Sequence, residues 1–552
     1  MNMKFCRRDY LEKHAALAVL LASAAVGFGC FLYYYAHGLS TVHYDAKAHL
    51  VVARRMVDST TPGYAQMGAH WLPLIHLLYL PFIGFESQYR TALLPSLLSV
   101  GAFAVCGWMI FRITLRMTGS RIAALFAAAV LVGNPNLQLL QSAPLTEPVY
   151  MALFLLATDA FLNWRERSGR VLPWAAAAWA ALGALCRYEG WIFLAGVLAL
   201  ILYDAWQGFC GRKRALQAIA VYTGMSVLPV AAHFGYIFLR LGDSFFHRVA
   251  RGSPAPYETY KRPVLSVVYH FGELAQAATL IPLLIGIAGL VYCLIGSERR
   301  RRYLPCLLLW LPSLINVAAL YWGLIYRVRY SLLLVPAVAA FGGVVLSRPT
   351  FARRMLILAC MLLFFLPWLS WAFPVRWEYY FMSPSTGIFV LPAAALILLM
   401  AALAGARHRW LLIALAVLSM HFPVLLGENK ALLAESLEHQ YIEPERKAVL
   451  DYLLARYDGS RILIDVGRLA PLMYDSGLPL KEFIYHDGNL RDWDRASVKP
   501  RAHAGWLCAE KGDEIWELLH VDPHWADGYS LGVKTENYVL YQLIPEDRGK
   551  SQ

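Results

Sequence analysis

The residues in this chain best suited to chemistry stand together in one polar stretch, His43-Tyr44-Asp45-Ala46-Lys47-Ala48-His49, which continues through Arg54-Arg55 to Gly63. The stretch follows directly on an apolar run of roughly 25 residues, and charges so close to a bilayer are costly to place, which marks them as candidates for function. On a helix starting near Tyr44, Asp45 and His49 are four apart and share a face, with Lys47 turned away. A carboxylate held beside a membrane at reduced dielectric has its basicity raised, as a general base needs in order to take a proton from a hydroxyl or an amine. The alternative is a structural acid paired with Lys47 or Arg54. The same loop carries Gln66, His70 and His76. His70 and His76 with Asp45 are the minor possibility for a divalent metal, the default expectation being hydrogen-bonding side chains and no cofactor.

Three further groupings have the right residue types. Thr146-Glu147-Pro148 opens an apolar run, so Thr146 suits a helix cap and Glu147 the positive end of the helix dipole. Equally, Glu147 suits a second acid of the same site. Cys186-Arg187-Tyr188-Glu189-Gly190 joins two apolar runs with almost no loop. There Arg187 and Glu189 either neutralise each other, or Arg187 turns its planar fork to a phosphate. Tyr326-Arg327-Val328-Arg329-Tyr330 places two arginines where something negative should face at least one of them; snorkelling to the interface is the other reading. Arg240, His247, Arg248 and Arg251 are additional cations for a bound lipid.

The elements that position these groups are set by composition. Of 552 residues 59% are hydrophobic and 16% charged, and long uncharged runs recur from Ala15 to Leu426, each able to cross about 30 Å of hydrocarbon as a helix. Hydropathy and basic punctuation predict about thirteen spans, near 15–38, 91–111, 120–133, 147–163, 171–186, 190–206, 216–240, 274–296, 304–323, 329–347, 354–373, 387–405 and 410–426. The Ala22-Ser23-Ala24 triplet imitates a signal-peptidase site, but the apolar run continues to Tyr35 and reads as an uncleaved first span. With the amino terminus in the cytoplasm, 22 Lys and Arg of the membrane part lie inside and 13 outside, as the positive-inside rule requires. That orientation puts the loops 39–90, 134–146 and 241–273 outside. The first of them carries two amphipathic stretches, Ala46 to Val57 and Trp71 to Pro81, suited to helices along the membrane surface.

The net charge of +13 does not indicate nucleic acid. Up to about residue 425 there are 35 Lys and Arg against 15 Asp and Glu, and beyond it 15 against 22, so the basic excess belongs to the membrane part, where orientation and lipid account for it. Nine scattered cysteines without CxxC or Cys/His spacing give neither a disulfide framework nor a zinc finger. Two domains follow: 1–427 in the membrane and 428–552 as a small α/β domain outside it. In the latter, Pro444 to Arg456 and Asp513 to Leu519 read as helices, and Arg461 to Val466, Ala504 to Cys508 and Tyr538 to Ile544 as strands. No Gly-rich phosphate motif supports a nucleotide site there. The fold class is a polytopic α-helical membrane protein with a C-terminal α/β domain.

Asp45 in the first outer loop, amphipathic loop helices, about a dozen spans and an outer α/β tail together resemble the GT-C superfamily of membrane glycosyltransferases. The nearest resemblance is to the family 39 type, with its protein O-mannosyltransferases and lipid A aminoarabinose transferases. Tyr44-Asp45-Ala46-Lys47-Ala48-His49, Ala53-Arg54-Arg55-Met56 and Pro62-Gly63 are similar to that family's loop-one signature. Mannosyltransferases of the family often show an Asp-Glu pair, whereas Ala46 follows Asp45 here. The span count and outer tail look more like the aminoarabinose transferase layout.

The resemblance implies an inverting transfer of a sugar from a polyprenyl-phosphate carrier to a lipid, glycan or protein acceptor at the outer face, in a bacterial inner membrane. It implies Asp45 as base with Glu147 as its distant partner acid, Arg187, Arg327, Arg329, Lys47 and Arg54 around the donor phosphate, and Tyr44, His49, Gln66, His70, Glu189 and Tyr330 around sugar and acceptor. A lipid-linked glycan transporter or flippase is the rival from another class. Such proteins place ionisable groups and broken helices near the midplane, whereas the charged clusters here lie at the ends of the apolar runs. Another lipid-linked transferase is the nearer alternative.

Overall fold

The computed structural model describes residues 3–68, 70–167, 171–209, 211–241, 259–324, 326–372, 395, 407–425, 431–437, 443–486 and 490–545. The expected span 387–405 falls almost wholly outside them, as do His247, Arg248 and Arg251. Five described helices are long and apolar enough to cross a membrane: Lys13–Ala36, Leu93–Thr118, Glu189–Trp206, Arg212–Arg240 and Val328–Leu346. Two bent pairs, Pro263–Ala278 with Leu280–Leu294 (119°) and Ser297–Trp310 with Pro312–Trp322 (51°), raise the number to seven if each is one span. Thirteen were expected.

The difference has a physical reason. Several expected spans are shorter helices, among them Arg121–Val132 and Trp174–Cys186, held between neighbours instead of crossing by length alone. Another, Thr146–Glu166, carries Glu147 and Asp159 and lies buried inside the bundle. Its Asp159 is bound by Arg112 at 3.0 Å and Arg116 at 2.9 Å, since a carboxylate in such a place needs a partner.

Small residues let the helices close up. A Cβ on Gly289 would sit 1.9 Å from the carbonyl oxygen of Phe341, so Leu280–Leu294 can touch Val335–Leu346 only through glycine. The bend at Thr279 frees the Ala277 carbonyl, which accepts from Asn134 Nδ2 at 2.8 Å. That satisfies a backbone group hydrocarbon would leave bare.

The first loop folds as anticipated: a helix Tyr44–Arg55 and a second, Leu74–Ile83. The carboxyl-terminal unit is a five-stranded sheet in the order β2-β1-β3-β5-β4. Its strands are β1 Ile462–Ile464, β2 Phe483–Ile484, β3 Trp506–Glu510, β4 Tyr529–Lys534 and β5 Tyr538–Leu543. β1 pairs parallel to β2 and β3, while β5 runs antiparallel to β3 and β4. The expected helices form as Glu443–Arg456 and Glu514–Val521. β2 and β4 were not anticipated, the first being two residues long and the second lacking an apolar run, with Tyr529 its one buried residue.

This unit docks on the first loop. Tyr44 donates to the Gly467 carbonyl at 2.8 Å, Lys47 binds Asp475 at 2.7 Å and Tyr485 donates to Gln66 Oε1 at 3.0 Å. Arg90 caps the carboxyl end of helix Val466–Ser476 through the Tyr474 and Gly477 carbonyls.

Candidate active site

Five helix ends meet beneath the docked domain, and each brings a charge. Asp45 is the second residue of its helix, Glu147 the second of Thr146–Glu166, Glu189 the first of Glu189–Trp206 and Arg329 the second of Val328–Leu332; Arg187 follows Cys186, the last residue of Trp174–Cys186. The three carboxylates therefore stand at positive helix ends, where the dipole suits a negative side chain. Helix Tyr44–Arg55 is capped by His43, whose Nδ1 accepts from the Asp45 backbone N–H at 3.0 Å. Thr146, expected as a cap, lies instead in the first turn after Leu145, and its hydroxyl accepts from Arg187 Nη1 at 2.8 Å.

The charges form one buried chain. Arg187 grips Glu189 with two nitrogens, at 2.7 and 3.1 Å, and Glu147 Oε1 with Nη1 at 2.7 Å. Arg329 Nε faces the same Glu147 oxygen at 3.4 Å, its Nη2 binds Asp45 Oδ2, and Glu435 Oε1 lies 3.8 Å from its Nε. Glu147 has no exposure and Arg329 is 4% exposed. Tyr330 lies under both guanidinium groups, 4.9 Å from Arg187 and 5.3 Å from Arg329, a cation–π arrangement. Yet Nη1 of Arg329 is buried without a hydrogen-bond partner. An unmet donor of that kind costs about 1–3 kcal/mol and marks where an acceptor oxygen belongs.

Arg329 reverses the expected basicity of Asp45. Burial by itself raises the carboxyl, but the Arg329 charge and hydrogen bond, helped by His43 and His49, hold it well below the usual range. His49, one turn on, is fully buried against Trp71, ring centres 4.4 Å apart, with Nδ1 3.1 Å from His76 Nε2. Burial, ahead of the opposing pull of Asp45 and Glu147, pushes its pKa down to about 4.

Sequence-identified residues thus divide. Asp45, Glu147, Arg187, Glu189, Arg329 and Tyr330 converge, with His49 beside them. Arg327 precedes helix Val328–Leu332 and is half-buried. Lys47 is engaged by Asp475, and Arg54 by Asp58 at 3.2 Å, Glu86 at 2.9 Å and the Ile83 and Gly84 carbonyls. Tyr44 and Gln66 serve the domain contact, Gln66 also donating to Thr61, and the His70 carbonyl accepts from Tyr188 at 2.9 Å.

Asp45, His70 and His76 do not bring their ligand atoms together among the described residues, and His76 spends Nδ1 on the Leu72 carbonyl and Nε2 on His49. Among the described residues the grouping able to hold a metal ion is Asp465, His486 and Glu514, in the α/β unit, with ligand atoms within 4.8 Å of one another. Sequence reasoning missed Glu435, which accepts from the Val328 N–H at 2.7 Å and lies 3.4 Å from His43 Nε2. Its signal was a lone acid in the apolar heptamer Ala431–Leu437.

No protein-family model matches the chain, and neither does any curated protein sequence. Solved structures do. ArnT from Cupriavidus metallidurans in the apo state superposes with a TM-score of 0.58 at 15% identity, over 97% of this chain and 99% of that one. The same enzyme bound to undecaprenyl phosphate gives 0.56 at 14% identity, over 96% and 98%. The Archaeoglobus fulgidus oligosaccharyltransferase in the apo form is a looser likeness, 0.47 at 13% identity over 90% of this chain and 69% of that one. The chain has the GT-C fold, which it shares with ArnT.

Proposed function

We propose that this chain, with its GT-C fold, is a membrane glycosyltransferase that moves a sugar from a polyprenyl-phosphate carrier to an acceptor, with inversion, at the outer face of a bacterial inner membrane. The observation that carries the reading is the buried chain Asp45–Arg329–Glu147–Arg187, in which Arg329 Nη1 still lacks an acceptor. A phosphate oxygen fits that nitrogen, and guanidinium suits phosphate in particular. That ArnT binds undecaprenyl phosphate supports the same choice of donor.

In this reading Arg329 and Arg187 stabilise the charge that gathers on the departing phosphate, the kind of term that dominates such transfers. A phosphate drawn onto Arg329 competes with Asp45 for it. Asp45, released from the contact that depresses its basicity, then takes the proton of the acceptor as the acceptor attacks C1 from the face opposite the phosphate. Donor binding and base activation become one event. Glu147 stays on Arg187 and keeps both guanidinium groups in place. Tyr330 and Glu189 complete the wall on the arginine side, while Tyr44, Gln66 and His70 hold the loop and the α/β domain over the site.

The test is transfer from a radiolabelled polyprenyl-phosphate sugar to an envelope extract by the full chain in membranes. Asp45→Asn should lower turnover by about two orders of magnitude or more, the usual scale of a positioned base, while undecaprenyl phosphate still binds. Full activity in Asp45→Asn would remove the base assignment, and no transfer by the wild type would remove the function.

A further inference from the structure

Burial and hydrogen bonding together fix the state of two histidines beside this site. His76 Nδ1 lies 3.1 Å from the Leu72 carbonyl, and a carbonyl only accepts, so Nδ1 carries the proton. Both rings are buried, which keeps them neutral: His49 is pushed down to about 4 and His76 well below its ordinary value. His76 Nε2 is therefore a bare acceptor, and His49 Nδ1, 3.1 Å from it, is the donor. By elimination Nε2 of His49 carries a free lone pair. That nitrogen is buried and has no hydrogen-bond partner, on a residue with no exposure at all. His49 shares the face of its helix with Asp45 and interacts electrostatically with Asp45, Glu147, Arg329 and Arg187. With Nδ1 spent on His76, the unmet atom is the one left for whatever enters the cluster.

We propose that Nε2 of His49 is the acceptor-side anchor of the site, taking a hydrogen bond from the attacking group, and that this group is therefore an uncharged hydroxyl or amine and not an anion. The proposal rests on the transferase reading above. A lone pair repels an incoming phosphate or carboxylate, and so do the neighbouring carboxylates. Asp45, Glu147, Glu189 and Glu435 share two guanidinium groups, Arg187 and Arg329, with His43 beside Glu435, so the cluster sets four carboxylates against two arginines. The donor phosphate takes the unmet donor of Arg329; a second anion on the His49 side meets arginines already matched by carboxylates. A hydroxyl or amine meets the opposite situation. It satisfies Nε2 on binding and comes to lie beside Asp45: an amine keeps that bond and gives Asp45 a second proton, while a hydroxyl swings its one proton from Nε2 to Asp45 as it attacks. The His49–His76–Leu72 chain keeps the ring in the tautomer able to receive it.

The experiment follows label from a radiolabelled undecaprenyl-phosphate sugar into an envelope extract used native, acetylated to block hydroxyls and amines, or stripped of phosphate monoesters by phosphatase. Binding of undecaprenyl phosphate is measured in parallel. Acetylation should abolish transfer and phosphatase should leave it intact. His49→Asn keeps a donor for His76 but has nothing at the reach of Nε2. It should raise the half-saturating extract concentration roughly 5- to 100-fold, the range for an unmet buried polar partner, with undecaprenyl phosphate affinity within about twofold of wild type.

His49→Gln, whose amide oxygen reaches that position, should recover most of the loss. Transfer that survives acetylation but not phosphatase overturns the proposal, as does a folded His49→Asn that half-saturates like wild type. If His49→Asn fails to fold, the chemical treatments and His49→Gln decide. Wild-type protein that binds no undecaprenyl phosphate and transfers nothing removes the underlying reading instead.

Discussion

Replacing Arg329 by Gln tests the whole constellation at once. The guanidinium binds Asp45, stands 3.4 Å from Glu147 and 3.8 Å from Glu435, and its side chain is only 5% exposed, so water screens it little. At an effective dielectric of about 20, each such contact carries roughly 4–5 kcal/mol of attraction. Desolvation offsets much of this in the intact cluster, but removing one partner leaves the others buried and uncompensated, a net loss of about 3–5 kcal/mol. Thermal unfolding in detergent should register that loss. Two kinetic effects should accompany it. Turnover should fall by roughly 10²–10³-fold, as for other removed electrostatic stabilisers. The acid limb of the pH–rate profile should also move to higher pH, because burial then raises Asp45 with no cation to oppose it. Arg329→Lys keeps the charge but not the fork, so it should recover stability better than turnover. Arg329→Gln with wild-type turnover and an unmoved acid limb would refute both the phosphate role and the account of Asp45.

Other outcomes follow from the same geometry. Because burial pushes His49 down to about 4 from 6.5, the unfolded chain binds a proton that the folded one refuses between those values. Stability should be complete above about pH 6.5 and fall as pH drops toward about 4, by an order of ~3 kcal/mol, and His49→Phe should flatten that acid limb in thermal denaturation, His76 retaining part of it. Gly190→Ala should cripple the protein, since the new Cβ would lie 2.6 Å from Ala184 Cα and prise apart the two-residue link that aims Arg187 and Glu189. Melting temperature and turnover should fall together, and a neutral result would show that the link can relax. Lys47→Ala removes the half-buried pair with Asp475. It should cost about 1 kcal/mol and speed proteolysis between the domains, with turnover within a few-fold; a loss as deep as that of Asp45→Asn would put Lys47 in the chemistry instead.

How much of this was legible beforehand differs by residue. Asp45 and His49 on one helical face, and Arg187 and Glu189 across a two-residue break, follow from local spacing, and local spacing survives folding. The α/β tail was legible for the same reason, its apolar strand runs and its alternation of strand and helix being short-range signals. Lys47 and Arg54 look like Asp45 on paper, charged residues of the same short helix. What separates them is that Asp475 and Glu86 arrive from elsewhere in the chain to take their charge. Glu435 was invisible because nothing local connects it to Val328, 107 positions away. Thirteen spans are not reached among the described residues because hydropathy measures apolar length, while the bundle also uses short and bent helices that bury their ends against neighbours.

The sequence by itself determined that this is a helical membrane protein with a small appended domain and a charged first loop, since hydropathy, charge bias and helical period are properties of consecutive residues. Which charges face each other was decided only by the tertiary structure. Arg329 lies 284 positions from Asp45, and its arrival turns a carboxyl that burial alone would make more basic into one that is held ionised. Burial and its compensation are sums over everything nearby in space, and no window of consecutive residues contains them.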